Sequence, residues 1–351
     1  MKNYNPSVGY LKALGILLMV FGHSGNTIHI NHFIYMFHMP LFFIASGYCF
    51  KDKYLSTPRK YIYNKVKDIY WPYVKWSLLF LLLHNVCFNL HLYSDQYGWK
   101  EYVSHLYAPS EFLNLATSII FKMQGHEQLL GGYWFMNALF FGSLIVWLVI
   151  RCVKQPLCGG AILIVICTIL NKTCWQIPFI NISSQAFAAG LLIYIGYSLA
   201  KYRIKPFNYW QIALSLSITL IGSFVWNMAM DQNSYSNKRF IPYIITAVLA
   251  SWSFYSLFDK MKSSHGICAK ALDFIGKNTL TILTWHFLAF KLVSLVIIGI
   301  YGLPIERLAE FPVITEYSKQ GWWMAYFIVA MIVTCGIAYC NKWIKNNWLK
   351  L

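Results

Sequence analysis

The chain has 351 residues, of which 58% are hydrophobic, 18% aromatic and only 12% charged. A soluble domain carries about twice that share of charge, so a water-soluble globule is excluded, and apolar runs that are continuous rather than alternating exclude a transmembrane barrel. The formal net charge of +17 would suit nucleic acid or anionic lipid, but its distribution along the chain assigns it to membrane topology instead.

The apolar runs are of membrane-spanning length and predict an all-α, polytopic integral membrane bundle of about ten transmembrane helices. They fall near residues 9–28, 33–50, 72–90, 133–150, 157–172, 184–200, 208–227, 240–258, 279–300 and 321–340, a single membrane domain over 1–351 with no appended soluble domain. The first run is a span and not a cleaved signal, because it contains Lys12, lacks a small-x-small site and is followed directly by a second run. An ionisable group at membrane depth costs roughly 2.5 kcal/mol or more, which makes Lys12 and His23 in the first span and His38 in the second functional candidates. Lys12 and His23 are eleven residues apart, which places them on one helical face about 16 Å apart along the axis. His38 enters from the outer end of its span at a depth similar to His23. It could face His23 or serve the helix break expected at Pro40.

Residues 51–71 form a basic, aromatic segment that predicts an interfacial helix beginning after Thr57, with Pro58 at its first position. Residues 91–132 form the one long outer loop, carrying Tyr93, Tyr97, Trp99, Tyr102 and Tyr107. These rings could stack on sugars or sit in the interfacial belt. Further along, Asn137 in the fourth span could hydrogen-bond an acceptor or hold helices together. His286, in the middle of the ninth, could orient substrate or close a polar network.

Charge sets the orientation. With the N-terminus inside, 19 of the 29 basic residues fall in cytoplasmic segments and seven in outer ones. That split places both termini in the cytoplasm and leaves no role for nucleic acid. Of the twelve acids, eight are outside and none lies within a span, which argues against a carboxylate-based proton relay and against a Ser-His-Asp triad. Glu127, just ahead of the fourth span, is the one acid that could reach back to His23. The nine cysteines include no CxxC pair and read as free thiols, and His29 with His32 lacks a third ligand, so no metal site is expected.

Four stretches resemble one family. Lys12 and His23, with ten residues between them, look like the basic-x10-His motif of the membrane acyltransferase-3 family, and FHMPLFFIASGY (Phe37 to Tyr48) like its second-span signature. YWFMNALF (Tyr133 to Phe140) and GKNTLTILTWHF (Gly276 to Phe287) are similar to two further family segments, in the same order. The compact form most resembles the fucose 4-O-acetylase-like, polysaccharide O-acetyltransferase branch.

The resemblance implies acyl transfer from cytoplasmic acyl-coenzyme A, in the simplest case acetyl-coenzyme A, to a hydroxyl of a polysaccharide of the bacterial cell envelope or of its precursor. The site would lie in the inner membrane, and no cofactor would be permanently bound. A hydroxyl attacking a thioester needs a base with a pKa near neutrality, which suits His23, with His38 as a second catalytic candidate. Lys12, near the inner end of its helix, suits the coenzyme A phosphates, as do Arg59, Lys60, Lys65 and Lys67 in the basic segment. Family members commonly carry arginines before the proline that opens the third span (here Pro72), whereas this chain has lysines and Asp68 there, so a lipid-facing polybasic patch is an equal reading. Lys12, Trp134, Asn137 and His286 are the substrate-binding candidates. The rival readings are a transporter or flippase for the glycan or its lipid-linked precursor, and a glycan polymerase or ligase.

Overall fold

The computed structural model describes residues 5–99, 103–153, 155–173, 176–177, 180–225, 230, 239–263 and 266–348. Lys2, Lys100, Glu101, Tyr102, Lys154, Asp231, Lys238 and Lys350, which enter the charge and aromatic patterns above, lie outside the described residues. Each expected span falls on helix. Among the described residues, six helical stretches are long and apolar enough to cross a membrane: Pro6–His23, Ile28–Tyr48, Gln128–Cys152, Phe240–Met261, Thr279–Tyr301 and Thr315–Asn347. Pro156–Leu170 and Tyr209–Val225 are shorter apolar helices. The remaining two expected spans correspond to Trp71–Leu82 with His84–Asn89, and to Ser184–Lys201. The strands among the described residues are the two-residue pair Gln176–Ile177 and Ile182–Ser183.

The first helix stops at His23, five residues earlier than the apolar run suggested. Its end is made by local hydrogen bonding. The Ser24 hydroxyl and the Asn26 amide both donate to the Phe21 carbonyl, at 2.7 and 2.6 Å, and Gly25 takes a left-handed φ of +79° that most side chains avoid. In the second span the helix breaks into Ile28–Tyr35 and Pro40–Tyr48, with Pro40 in the first turn of the second piece, because proline has no N–H to continue the ladder. The expected interfacial helix runs Pro58–Lys65 and continues through a π turn, Val66–Tyr70, into Trp71–Leu82.

The chain divides into two compact units. The first comprises Met1–Gly15, His29–Tyr73 and Trp134–Gly276, the second Ile16–Ile28, Val74–Tyr133 and Lys277–Leu351. Within the first unit, close helix packing depends on small residues. A Cβ on Gly47 would lie 1.8 Å from the Ile193 carbonyl oxygen, and one on Gly196 would lie 2.1 Å from that of Ile44. The Ser46–Gly47 pair therefore marks a helix contact.

Within the second unit, Thr279–Tyr301 packs along Trp323–Trp348. The segment before Gln128 contains the helix Pro109–Lys122. Tyr93 and Tyr107, expected either on sugars or in the interfacial belt, are instead buried, at 1% and 5% exposure. Tyr107 stacks face to face on His84 at 3.4 Å.

Candidate active site

His23 ends the first helix, so its ring projects from a helix terminus where the backbone turns away. In the same unit, His286 lies in the Thr279–Tyr301 helix with no solvent exposure. The two rings meet. His23 Nδ1 is 3.2 Å from His286 Nε2, and the rings are nearly parallel, 16° apart with centroids 5.4 Å apart. His286 Nδ1 in turn lies 2.9 Å from the Leu283 carbonyl oxygen, one turn back on its own helix. Phe287 stacks against His23 at 4.9 Å and lies tilted against His286 at 3.9 Å, and Phe290 meets His286 edge-on at 5.8 Å. The pair is thus walled by aromatic carbon. Among the described residues no hydrogen-bond partner occupies the other ring nitrogen of His23, Nε2.

Polar side chains of the same helix extend away from this pair. Tyr133, at the start of the YWFMNALF stretch, meets the Thr284 hydroxyl at 2.7 Å. Lys291 is buried at 2% exposure, and its ammonium donates to the Glu310 carbonyl at 2.6 Å. Glu127 does not partner His23. Both of its carboxylate oxygens face His84 Nδ1, at 3.1 and 3.2 Å, while His84 Nε2 meets the His105 carbonyl at 3.0 Å. Depth in sequence favoured Glu127 as a partner for a catalytic histidine; the fold gives it a structural histidine that lies at the start of its own short helix.

The other candidates belong to the first unit. Lys12 is part-buried on the first helix, eleven residues before His23. His38 is buried in the break before Pro40, and both its backbone N–H and its ring Nδ1 lie 3.0 Å from the Ile34 carbonyl. That anchoring gives His38 a structural task at the break. The Asn137 amide donates to the Asn181 carbonyl at 3.4 Å, and Trp134 is part-exposed.

In the basic segment, Arg59, Lys60 and Lys67 are exposed, but Lys65 turns inward. Burial lowers the Lys65 ammonium to about 8, with Asp68 and then Cys49 pulling it back upward. The charges of Lys12, Lys51 and Lys65 all act on Cys49. Of the four basic candidates of this segment, Arg59, Lys60, Lys65 and Lys67, the fold therefore turns only Lys65 inward. Helical spacing contains the signal: Lys65 lies four residues after the buried Tyr61, and its ammonium sits 5.4 Å from that ring. Among the described residues, no group of three or more metal-ligating side chains is arranged to hold an ion.

An imidazole held at a helix end against an apolar wall is of a type that can take a proton from a hydroxyl. The family model described as an acyltransferase domain matches residues 5–342. No curated protein and no solved structure matches the chain. The chain belongs to the acyltransferase-3 family and is a membrane acyltransferase.

Proposed function

We propose that this acyltransferase moves an acyl group, acetyl in the simplest case, from cytoplasmic acyl-coenzyme A to a hydroxyl of an envelope glycan or its precursor. Its place is the bacterial inner membrane, with both termini in the cytoplasm. The observation that carries this reading is His23, held by His286 with Nε2 left open. The acceptor oxygen attacks the thioester carbonyl carbon, the C–S bond breaks, and the hydroxyl proton passes to His23 Nε2 and on to the departing sulfur. The products are an ester and a free thiol. Lys12 and Lys65 meet the phosphates of the donor as cations, with Lys51 nearby and Arg59, Lys60 and Lys67 at the surface, where they suit the first encounter with the donor or with anionic lipid. Asn137 and Trp134 contact the acceptor, and His38 has a secondary role beside its own backbone anchor.

The test is the mass of the glycan. Envelope glycan from cells with the protein should exceed that from cells without it by one acyl group per modified site. A glycan mass that does not change, or that changes by whole sugar units, would refute acyl transfer to this acceptor. His23→Ala should insert at wild-type yield and lose about 10²- to 10⁴-fold in rate, the usual contribution of a general base. Near-normal acylation by that variant would remove His23 from the chemistry.

A further inference from the structure

The hydrogen bonds around His286 determine which nitrogen of each ring carries a proton. A backbone carbonyl accepts and cannot donate, so the 2.9 Å contact with the Leu283 oxygen requires a hydrogen on His286 Nδ1. That oxygen lies three residues back on the same helix and has a second lone pair to offer besides the one used in the helical ladder. In a neutral His286, the free lone pair is then on Nε2. It lies 3.2 Å from His23 Nδ1, so the bond between the rings needs His23 to donate from Nδ1. A neutral His23 holding its proton there has its own lone pair on Nε2, the open nitrogen.

The opposite arrangement would require a charged His286 donating from both nitrogens to a His23 that carries its proton on Nε2. That state places a cation at zero exposure between Phe287 and Phe290 with one carbonyl and one imidazole for company. An unpaired buried charge is far more costly than a buried neutral ring. Neutrality therefore selects the first arrangement.

We propose that His286 is a positioning residue: anchored on the Leu283 carbonyl, it holds His23 in the Nδ1–H form and so presents Nε2 as the base. The inference rests on the assignment of His23 as that base. It gives a neutral imidazole the orienting task that a buried carboxylate performs in a Ser-His-Asp triad. This suits a span that contains no acid. When His23 takes the acceptor proton on Nε2 it becomes an imidazolium, and its Nδ1–H bond to His286 becomes charge-assisted. The proton leaves again from Nε2 to the sulfur. None reaches His286, whose one hydrogen stays on Nδ1, donated to the Leu283 carbonyl.

The experiment uses the full chain in lipid nanodiscs with ¹⁵N-labelled histidine, the His23 and His286 signals being identified from single-substitution difference spectra. Nitrogen shifts distinguish protonated from bare ring nitrogens. Wild-type protein should show His23 with Nδ1 protonated and Nε2 bare. His286→Ala should release His23 toward the Nε2–H form and lower kcat about 10- to 100-fold at an unchanged donor KM. His286→Gln, whose side-chain oxygen can still accept from His23 Nδ1, should keep the tautomer and most of the activity. A His23 that carries its proton on Nε2 in the wild type would overturn the proposal. So would a His286→Gln as slow as His286→Ala at equal insertion. Failure of the base assignment looks different: His23→Ala would then retain acyl transfer whatever the tautomer spectrum shows.

Discussion

Donor binding should be pH-dependent through Lys65. Burial lowers this ammonium from 10.5 to about 8, so in the free enzyme the lysine is mostly charged at pH 7 and mostly neutral at pH 9. A bound phosphate favours the charged form and returns the group toward its ordinary value. The donor then binds the protonated enzyme, and affinity falls as pH rises through 8. With a free value of about 8, the charged fraction falls from about nine-tenths at pH 7 to about one-tenth at pH 9. Donor KM should therefore rise about tenfold across that interval, or about 1.4 kcal/mol. Lys65→Arg should bind the donor with little pH dependence, because a guanidinium stays charged throughout. Lys65→Gln should show the weak, high-pH affinity at every pH. The assay is acyl-coenzyme A titration of purified variants in lipid at pH 7, 8 and 9, reading KM and kcat separately because the His23 base affects kcat. A flat wild-type KM, or a Lys65→Gln that retains the wild-type KM at pH 7, would show that no donor phosphate reaches this lysine.

Loss of the Lys12 charge should act on donor binding alone: Lys12→Gln should raise donor KM by the equivalent of about 1.5–3 kcal/mol with kcat kept, and Lys12→Arg should retain most activity. If Lys12→Gln instead lowers the yield of inserted protein with KM unchanged, the lysine is an interfacial anchor. The His84–Glu127 pair has side-chain exposures of only 0% and 3%; His84→Ala should destabilise the protein by about 3–5 kcal/mol, read as a lowered unfolding midpoint in detergent. The double substitution His84→Phe with Glu127→Leu should recover much of that loss, because it leaves no single buried charge behind. Gly47→Val should prevent the Pro40–Tyr48 helix from seating against Ser184–Lys201, since even a Cβ there meets the Ile193 oxygen at 1.8 Å; correctly inserted, monodisperse Gly47→Val protein would contradict the packing.

Much of the molecule was legible in the sequence, for local reasons. A membrane solvent demands continuous apolar helices, so the class and the helical runs at the expected spans follow from composition and length, whereas Pro109–Lys122 is a helix in a stretch read as loop. That Lys12 and His23 share one helix follows from the continuous apolar run, and Pro40 and Pro58 mark their helix break and start because proline lacks an N–H. The motif around His286 singled that residue out without naming its partner. The tertiary structure decided the rest. His23 and His286 are 263 residues apart, and no periodicity encodes which faces of two distant helices meet; that depends on how side chains interlock at the crossing. Glu127 was placed near a catalytic histidine by its position before a span, yet packing delivered it to His84, a residue that spacing did not distinguish. The first helix ends at His23 because Ser24, Asn26 and Gly25 together close it, a cooperative turn that hydropathy does not register. The selection of Lys65 over Arg59, Lys60 and Lys67 is likewise a matter of burial. All four are equal as charges in a sequence, and only the packed fold half-buries one of them.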